Sequence, residues 1–448
     1  MSLFGSKEKK VDAEFTFGVQ SFKKIDGGEI VLTGRVDGTV RPGATVYIVN
    51  PGVDETLDMS TVEEIHMPSG TVAVTSDCTC GLVIKEIEKV EIRVGTVLYT
   101  KKTDPEKIHN AYIAAIGDAY VGKRRINFSE EELDNLSVID LVECWRLFGW
   151  FTTKAGNRLT ELEIKENSAK IEPIAKKIVE KILAADSVYV VYNKKTKEPH
   201  LFVNVARRPD GQYMCSAPDV LIVPSSYYSV MSKFYNTDEY ELKKIENGED
   251  KKGIFNFLGT AFYINGAVGV AVTSDKTCID GRMFVAPPDY SDLPEINRPI
   301  TNPDLVRWML LYFQLGQLDT DEKKTIGNLF YTFMSKELLK AKLLVPMKKE
   351  GEISAPDAEG KVVISKGTKI ELAVTKGKDN NKAVKMYTDW IRLREEFNED
   401  WEALIQPVSG MLTDDTDVII NINSKAQLGC YLNKEIYANI SKQIEDLG

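Results

Sequence analysis

The chain has 448 residues, which at roughly 150 residues per domain predicts about three domains, each large enough to bury a core without disulfide or metal staples. Its 57 Lys and Arg against 67 Asp and Glu leave a formal charge of −10, with an ordinary globular share of 43% hydrophobic and 28% charged residues. That balance excludes nucleic-acid binding by bulk charge, because neutralising phosphates takes clustered Lys and Arg; a local basic patch stays open. Cys78, Cys80, Cys144, Cys215, Cys278 and Cys430 are scattered, which suits reduced thiols better than a disulfide framework. Met1 to Lys10 is charged, is expected to be frayed, and is followed by no apolar stretch of the kind a secretory signal needs. No segment approaches ~18 consecutive apolar residues, so no membrane helix is expected and a cytoplasmic, soluble protein is the expectation.

From Phe15 to about Thr103 the pattern is β. Strands are expected at Glu29–Val36, Ala44–Val49, Thr71–Val74, Gly81–Ile84 and Gly95–Leu98, with Gly34, Gly38, Pro42 and Gly43 as punctuation. Short strands at this spacing indicate a small barrel or sandwich. Asp104 to about Ser168 reads helical. Ser129 with Glu132 forms a capping box before an apolar run to Leu147, and Gly149 is expected to end that helix. From Ile171 the apolar stripe Ile174, Ile178, Val179 and Ile182 has a period of 3.6, and Pro173 sits in the first turn. Strands are expected next at Val188–Tyr192 and Leu201–Val205, then a helix from about Pro224 to Tyr235 and a strand at Val268–Val272. Pro287, Pro288, Pro294 and Pro299 mark a linker. Asn302 is expected to cap a helix with Pro303 at its first position, and Asp319 with Glu322 to open another. Strands at Leu343–Pro346, Ile370–Val374 and Val418–Asn421 and a helix from Trp390 to Phe397 complete the chain. Ile182–Ala185 before a strand parallels Leu338–Ala341 before a strand, and Val268–Val272 parallels Asp417–Asn421, so the last two units read as a duplicated domain. The fold class expected is a multidomain α+β protein. Residues 1–104 form a β-barrel, 105–170 a helical connector, and 171–295 and 296–448 two α+β domains.

Two stretches resemble known families. Val31-Leu32-Thr33-Gly34-Arg35-Val36-Asp37-Gly38-Thr39-Val40-Arg41-Pro42-Gly43, with Cys80–Ile84 and Ile92-Arg93-Val94-Gly95-Thr96-Val97-Leu98, resembles the second domain of EF-Tu and related translational GTPases. Only about fourteen residues precede this barrel, and no Gly-x-x-x-x-Gly-Lys-Ser/Thr loop occurs anywhere, so the resemblance implies the barrel and not the GTPase. In that family the barrel touches tRNA or ribosomal RNA. Met1 to Thr103 here carries 12 basic and 15 acidic residues, which weighs against such contacts. The family's basic first turn is altered to Ser21-Phe22-Lys23-Lys24-Ile25-Asp26-Gly27-Gly28, and Lys23, Lys24 and Arg35 are the positions offered for RNA or partner contact. The second resemblance is to the SseB (enhanced serine sensitivity) family. Leu338–Pro346, Met386-Tyr387-Thr388-Asp389-Trp390, Val418–Asn421 and Tyr431–Glu435 carry it, over about Glu337 to Leu447, with Tyr387 in place of the usual Phe. It implies an α+β fold and no catalytic residues. The middle unit looks like a diverged copy, with Cys215-Ser216-Ala217-Pro218 standing where the aromatic-Thr-Asp turn should be.

Cys78 and Cys80 put two thiols on one strand face, with His66 upstream in the sequence, but a zinc site calls for four ligands, commonly with a second pair; strand thiols are the expectation. His66, His109 and His200 have no nucleophile partner in a known motif, and Gly-x-Ser-x-Gly and His-Glu-x-x-His are absent. Trp145, Phe148, Trp150 and Phe151 read as core or interface. Asp414, Asp415 and Asp417 read as a solvated turn, with an oxygen-ligand cation site as the alternative, and Lys348-Lys349 and Lys376 to Lys382 as exposed loops. Thr388, Asp389 and Trp390 are offered as a partner surface, against the simpler reading of a turn that caps the next helix. No catalytic, cofactor or metal site is assigned. The expected function is a non-catalytic scaffold that binds a protein or peptide and no membrane. The alternatives are a ribosome- or RNA-associated factor acting through the barrel, and an enzyme without a recognised motif.

Overall fold

The computed structural model describes residues 14–25, 27–51, 56–85, 87–122, 124–153, 158–273, 278–294, 298–351, 368–378, 381–423, 425 and 428–447. Met1 to Lys10 and Asp26 lie outside them. The chain forms two compact units, Met1–Ile182 with Pro224–Met231, and Leu183–Val223 with Ser232–Gly448. Among the described residues no helix is long and apolar enough to cross a membrane.

The first unit opens with β1 (Phe15–Ile25), β2 (Glu29–Val40), β3 (Thr45–Val49), β4 (Leu57–Met67), β5 (Gly70–Val72), β6 (Thr75–Ser76), β7 (Thr79–Lys85) and β8 (Val97–Tyr99). Pairing runs β1-β8-β3-β4-β7-β2 and returns from β2 to β1, which closes a six-stranded barrel. Alternation sets the two faces: along β2, Ile30, Leu32 and Val36 point inward and Thr33, Arg35 and Asp37 outward. Closure leaves no open edge among these six strands. The barrel core gathers Phe17, Val19, Leu32, Val46, Ile48, Val62, Ile65, Leu82, Ile84 and Leu98, all fully buried.

Next comes α1 (Pro105–Tyr120), capped by Asp104, whose carboxylate accepts from the Glu106 amide at 2.9 Å. It lies on β1 through small residues. A Cβ on Gly18 would stand 2.4 Å from the Ala111 carbonyl oxygen and 2.9 Å from the Ala115 Cβ, so glycine there permits the contact. The expected helical stretch is then interrupted by a hairpin of β9 (Val121–Gly122) and β10 (Arg125–Ile126). The helix read behind Ser129 is in fact two. The capping box is present and opens α2 (Glu130–Asn135), but Ser137 starts α3 (Val138–Thr153) by accepting from the Asp140 amide while Asp140 accepts from the Ser137 amide. Gly149 does not end α3, since nothing at that position forces a positive φ. α4 (Glu161–Ser168) and α5 (Ile171–Ala184) come after it.

The second unit contains the repeat, apart from Pro224–Met231, which belongs to the first. Its first copy runs β11 (Ser187–Asn193), β12 (Leu201–Phe202), β13 (Val205–Arg207), β14 (Tyr213–Cys215), β15 (Asp219–Pro224), α6 (Tyr228–Tyr235), β16 (Tyr240–Glu246), α7 (Gly253–Tyr263), β17 (Gly269–Val272) and β18 (Cys278–Asp280). Its second copy runs α8 (Pro303–Gln314), α9 (Asp321–Lys340), β19 (Lys342–Glu350), β20 (Lys369–Leu372), β21 (Val374–Lys376), β22 (Lys382–Tyr387), α10 (Trp390–Arg394), β23 (Glu402–Pro407), β24 (Thr416–Asn423), β25 (Leu428–Leu432) and α11 (Lys434–Leu447). The sheets correspond strand for strand. β16-β11-β15-β17-β18 in one matches β23-β19-β22-β24-β25 in the other. In both, the two central strands (β15 with β17, β22 with β24) are parallel, the last strand (β18, β25) pairs antiparallel, and the first two strands of each order (β16 with β11, β23 with β19) pair antiparallel. This topology also corrects the turn assignment. Cys215 ends the β13–β14 hairpin and Ser216-Ala217-Pro218 connects it to β15, whereas by strand order Tyr387-Thr388-Asp389, at the end of β22, corresponds to Pro224-Ser225-Ser226 at the end of β15.

The two copies share polar contacts. Gln314 accepts from the Leu201 amide at 3.2 Å and donates to the Pro199 carbonyl at 3.3 Å. Gly266, at φ +78°, lies where a Cβ would come within 2.2 Å of the Pro303 carbonyl oxygen. Asn302 holds the N-cap position of α8 with Pro303 first in the helix, as expected, but its side chain makes no cap bond and its amide donates instead to the carbonyls of Lys342 and Thr388. One expected cap is corrected: Thr320, not Asp319, caps α9. Lys348 and Lys349 lie on β19 and Lys376 and Lys382 on strands rather than in loops, while residues 379–380 of that stretch lie outside the described residues.

Candidate functional site

One face of the second copy's sheet gathers polar side chains. Lys385, Ile419 and Tyr431 stand in register across β22, β24 and β25, and Tyr387, Asn421 and Gly429 form the next row. Side chains alternate along a strand, so these rows share a face, while Met386, Val418, Ile420 and Ile422 fill the core on the other. Glu396, just beyond α10, is held over the rows. The Lys385 ammonium, the Tyr387 hydroxyl and the Asn421 amide, the last at 3.3 Å, all donate to it. Burial works to raise the Glu396 pKa, but Lys385 and Tyr387 overcome it and the carboxyl stays below its ordinary value. Burial, then the Glu396 charge, push the Tyr387 hydroxyl well above the ordinary phenol range. Beside them the buried Asp417 accepts from the Tyr431 hydroxyl and from the Asn381 amide at 3.5 Å. The Lys378 ammonium sits 4.7 Å from the centre of the Tyr431 ring.

Gly429 adds no side chain; a Cβ there would stand 2.6 Å from the Ile420 carbonyl oxygen. The result is a cleft of about 330 Å³ lined by Lys385, Glu396, Ile419, Asn421, Leu428, Gly429 and Tyr431. It combines an apolar floor, a fixed ion pair and an amide, the mixture that orients a ligand by a few polar contacts. β25 is the last strand of this sheet's order, so an extended segment entering the cleft has a strand to lie along.

Thr388 and Asp389 are 0% and 1% exposed, so they form no open surface. Asp389 caps α10, accepting from the Arg392 amide at 3.0 Å, and takes a second bond from the Thr388 hydroxyl at 2.8 Å. Its carboxylate also pairs with the Arg392 guanidinium at 2.6 Å. Arg392 reaches the first copy, where it donates to the Asn265 side chain at 2.8 Å, and it donates to the Ile422 carbonyl at 2.6 Å. Glu198 closes the network by accepting from Asn265 at 3.1 Å and Asn423 at 2.7 Å. Burial raises its pKa and the Arg392 charge only partly offsets that. Trp390 is partly buried, with the Arg394 guanidinium 4.9 Å from its ring centre. Asp389 thus anchors, through Arg392, the network that joins the two copies, while Trp390 packs within the second copy against Leu344, Tyr387 and Leu393.

In the barrel, Lys23, Lys24 and Arg35 are exposed but do not share one face. A bulge at Gln20 shifts the register so that Lys23 pairs with outward Val31 and Lys24 with inward Ile30. Arg35 is on the outer face with Lys23, four residues along β2, or roughly 13 Å away at the strand rise. It borders a cleft against α1 with Asp37, Asp77 and Lys107.

The remaining candidates disperse. His66 pairs with Glu64 at 2.7 Å on the surface, His109 lies beside Tyr112, and His200 sits among Phe202, Tyr235 and Tyr240. Burial and the neighbouring Cys78 push the Cys80 thiol up to about 12. Asp414 pairs with Lys434 at 2.8 Å, apart from buried Asp417. Among the described residues no three His, Cys, Asp or Glu gather as a metal site. Of the aromatic set Phe148 is fully buried, whereas Trp150 is 54% exposed.

The cleft residues Lys385 and Glu396 carried no sequence signal, since a charge in a strand and one after a helix read as solvated. Asn421 and Tyr431 lay inside the stretches that carry the second resemblance, with no role attached.

Residues 330–432 match the family model of the SseB protein N-terminal domain, a span from within α9 to the end of β25 that contains the whole cleft. No curated protein matches the chain. Two solved structures of translation elongation factor SelB from Methanococcus maripaludis, one apo and one in complex with the GTP analogue GPPNHP, are each similar at 21% identity and a TM-score of 0.18. The likeness covers 20% of this chain, and this chain spans only 19% of theirs.

Proposed function

We propose that this chain is a non-catalytic interaction scaffold, and that the sheet-face cleft of its second α+β copy receives a short extended segment of a partner polypeptide. The observation that carries the reading is the composition of the cleft. Lys385, Glu396 and Asn421 hold fixed donors and acceptors beside the apolar Ile419 and Leu428, next to an edge strand. Main-chain groups of an extended segment suit such a row, and alternate side chains suit its floor. The duplicated architecture supports it, because the buried Arg392 network fixes the two copies together and keeps the sheet rigid beneath the cleft.

Ile419→Glu places a charge on the partly exposed cleft floor without touching a hydrogen bond. Affinity capture with the full chain is expected to recover a specific polypeptide that Ile419→Glu loses, with an unchanged melting temperature. Equal recovery by the folded variant and the wild type would remove the cleft from the reading.

A further inference from the structure

One end of the barrel, where β4 turns into β5, gathers sulfur. The register of β2 and β7 pairs Gly34 with Cys80 and Arg35 with Thr79, and a bond from the Val36 amide to the Cys78 carbonyl at 2.8 Å carries it one residue further. Val36 is a core residue, so Cys78 faces inward beside it, and Cys80, two residues on, shares that face. The register of β4 and β7 pairs Ile65 with inward Leu82 and His66 with Gly81. Met67 comes next on β4, on the same face as Ile65, and the next position opposite it is Cys80. Met67 and Cys78 pack against the barrel core and are each partly exposed, whereas Cys80 is 4% exposed.

The Thr75 hydroxyl links two of these sulfurs: it lies 2.9 Å from Cys78 Sγ and donates to Met67 Sδ at 3.9 Å. The two thiols also act on one another. Burial, and then Cys78 as a charge and a hydrogen-bond partner, hold the proton on Cys80. His66 stands on the opposite face of β4 and pairs with Glu64, so the soft donors here are two thiols and a thioether. Thiolate and thioether donors select a soft ion such as Cu(I), whereas zinc takes four ligands drawn from Cys, His and carboxylates and leaves a thioether unused.

We propose that Met67, Cys78 and Cys80 form a three-sulfur site for one Cu(I) ion at this end of the barrel. The ion replaces the two thiol protons. Two S–H bonds break, two S–Cu bonds form, two protons pass to solvent, and the Met67 thioether contributes a lone pair, with no change of oxidation state. The partly exposed Met67 and Cys78 receive the ion first, and the exchange of one ligand then brings in Cys80 from the core side.

The test uses the full chain, reduced and under argon, with Cu(I) supplied as its complex with a chromophoric chelator. The background chain carries Cys215→Ser and Cys278→Ser, which removes two thiols outside the barrel that are open to solvent. One Cu(I) per chain is expected to leave the chelator and to give thiolate-to-copper charge-transfer absorption in the ultraviolet. Losing a ligand costs at least as much as losing its outer support, so Cys78→Ser is expected to weaken binding about a hundred-fold or more. Met67→Leu, which conserves volume, is expected to weaken it about ten-fold, and both variants are expected to keep the melting temperature of the metal-free background chain. The proposal is overturned by no transfer from the chelator, by transfer that the folded Cys78→Ser chain retains, by Met67→Leu binding equal to that of the background chain, or by displacement of the copper by equimolar zinc.

Discussion

Replacing Arg392 by Met removes the cation at the centre of the network joining the two α+β copies while keeping most of the side chain's length. The guanidinium is 6% exposed, and it loses bonds to Asp389, Asn265 and the Ile422 carbonyl. Asp389, 1% exposed, keeps, among the described residues, the Thr388 hydroxyl and the amide of residue 392 as donors. Removing one partner of a buried pair costs about 3–5 kcal/mol, and the surviving donors place Arg392→Met at the lower end, about 3 kcal/mol. The chain has two compact units, so a single unfolding curve is ambiguous. Hydrogen exchange under mild denaturant resolves them, with peptides from Lys382–Tyr387 and Thr416–Asn423 reporting on the second unit and peptides from β2 and β7 on the barrel. Protection is expected to fall by about two orders of magnitude in the second unit and to stay unchanged in the barrel. Adding Asp389→Asn, which keeps the cap oxygen and removes the stranded charge, is expected to recover part of the loss. A loss below about 1 kcal/mol, or one that appears equally in the barrel, would refute the claim that a buried ionic network holds the copies together.

Three further outcomes are expected. Gly18→Val drives a side chain into the Ala111 carbonyl and is expected to cost about 1–3 kcal/mol and to lower exchange protection of α1 first; a neutral result would mean that α1 does not rest on β1. Burial lowers His200 from 6.5 to about 4, so the unfolded chain binds this proton first as pH falls. Stability linked to His200 is therefore complete above about pH 6.5 and lost toward pH 4, by up to about 3 kcal/mol. His200→Leu should flatten urea midpoints measured between those pH values, and an unchanged pH slope would contradict the assignment. Gly266→Ala meets both a positive φ and the Pro303 carbonyl, and is expected to lower the melting temperature more than Gly149→Ala, whose Cβ meets nothing.

The elements were legible where local pattern and tertiary need agree. Alternation in β2, the capping box at Ser129 and the stripe of α5 each have a short-range cause. The duplicated order was visible from two anchors, Ile182–Ala185 with Leu338–Ala341 and Val268–Val272 with Asp417–Asn421, because a buried central strand is continuously apolar whatever its neighbours. Strands β16, β22 and β23 escaped notice because charges interrupt them: Lys243, Lys244, Lys382, Lys385 and Glu402 are tolerated at edges and on open faces. The cleft was out of reach for a deeper reason. Lys385, Glu396, Asn421 and Tyr431 are brought together by strand register, which a single sequence does not reveal. The offer of Thr388 and Asp389 as a surface failed on burial, since polarity near a turn gives no sign that Arg392 and Glu198 will cover it.

Capture of a partner segment by the cleft is tested where binding occurs by a photocrosslinking residue built into the full chain at position 419. A covalent adduct with one discrete polypeptide is predicted from position 419, and none with that polypeptide from position 22, an exposed site on the β1–β2 hairpin of the barrel. No adduct from position 419, or the same adducts from both positions, would contradict the assignment of the cleft as the binding site.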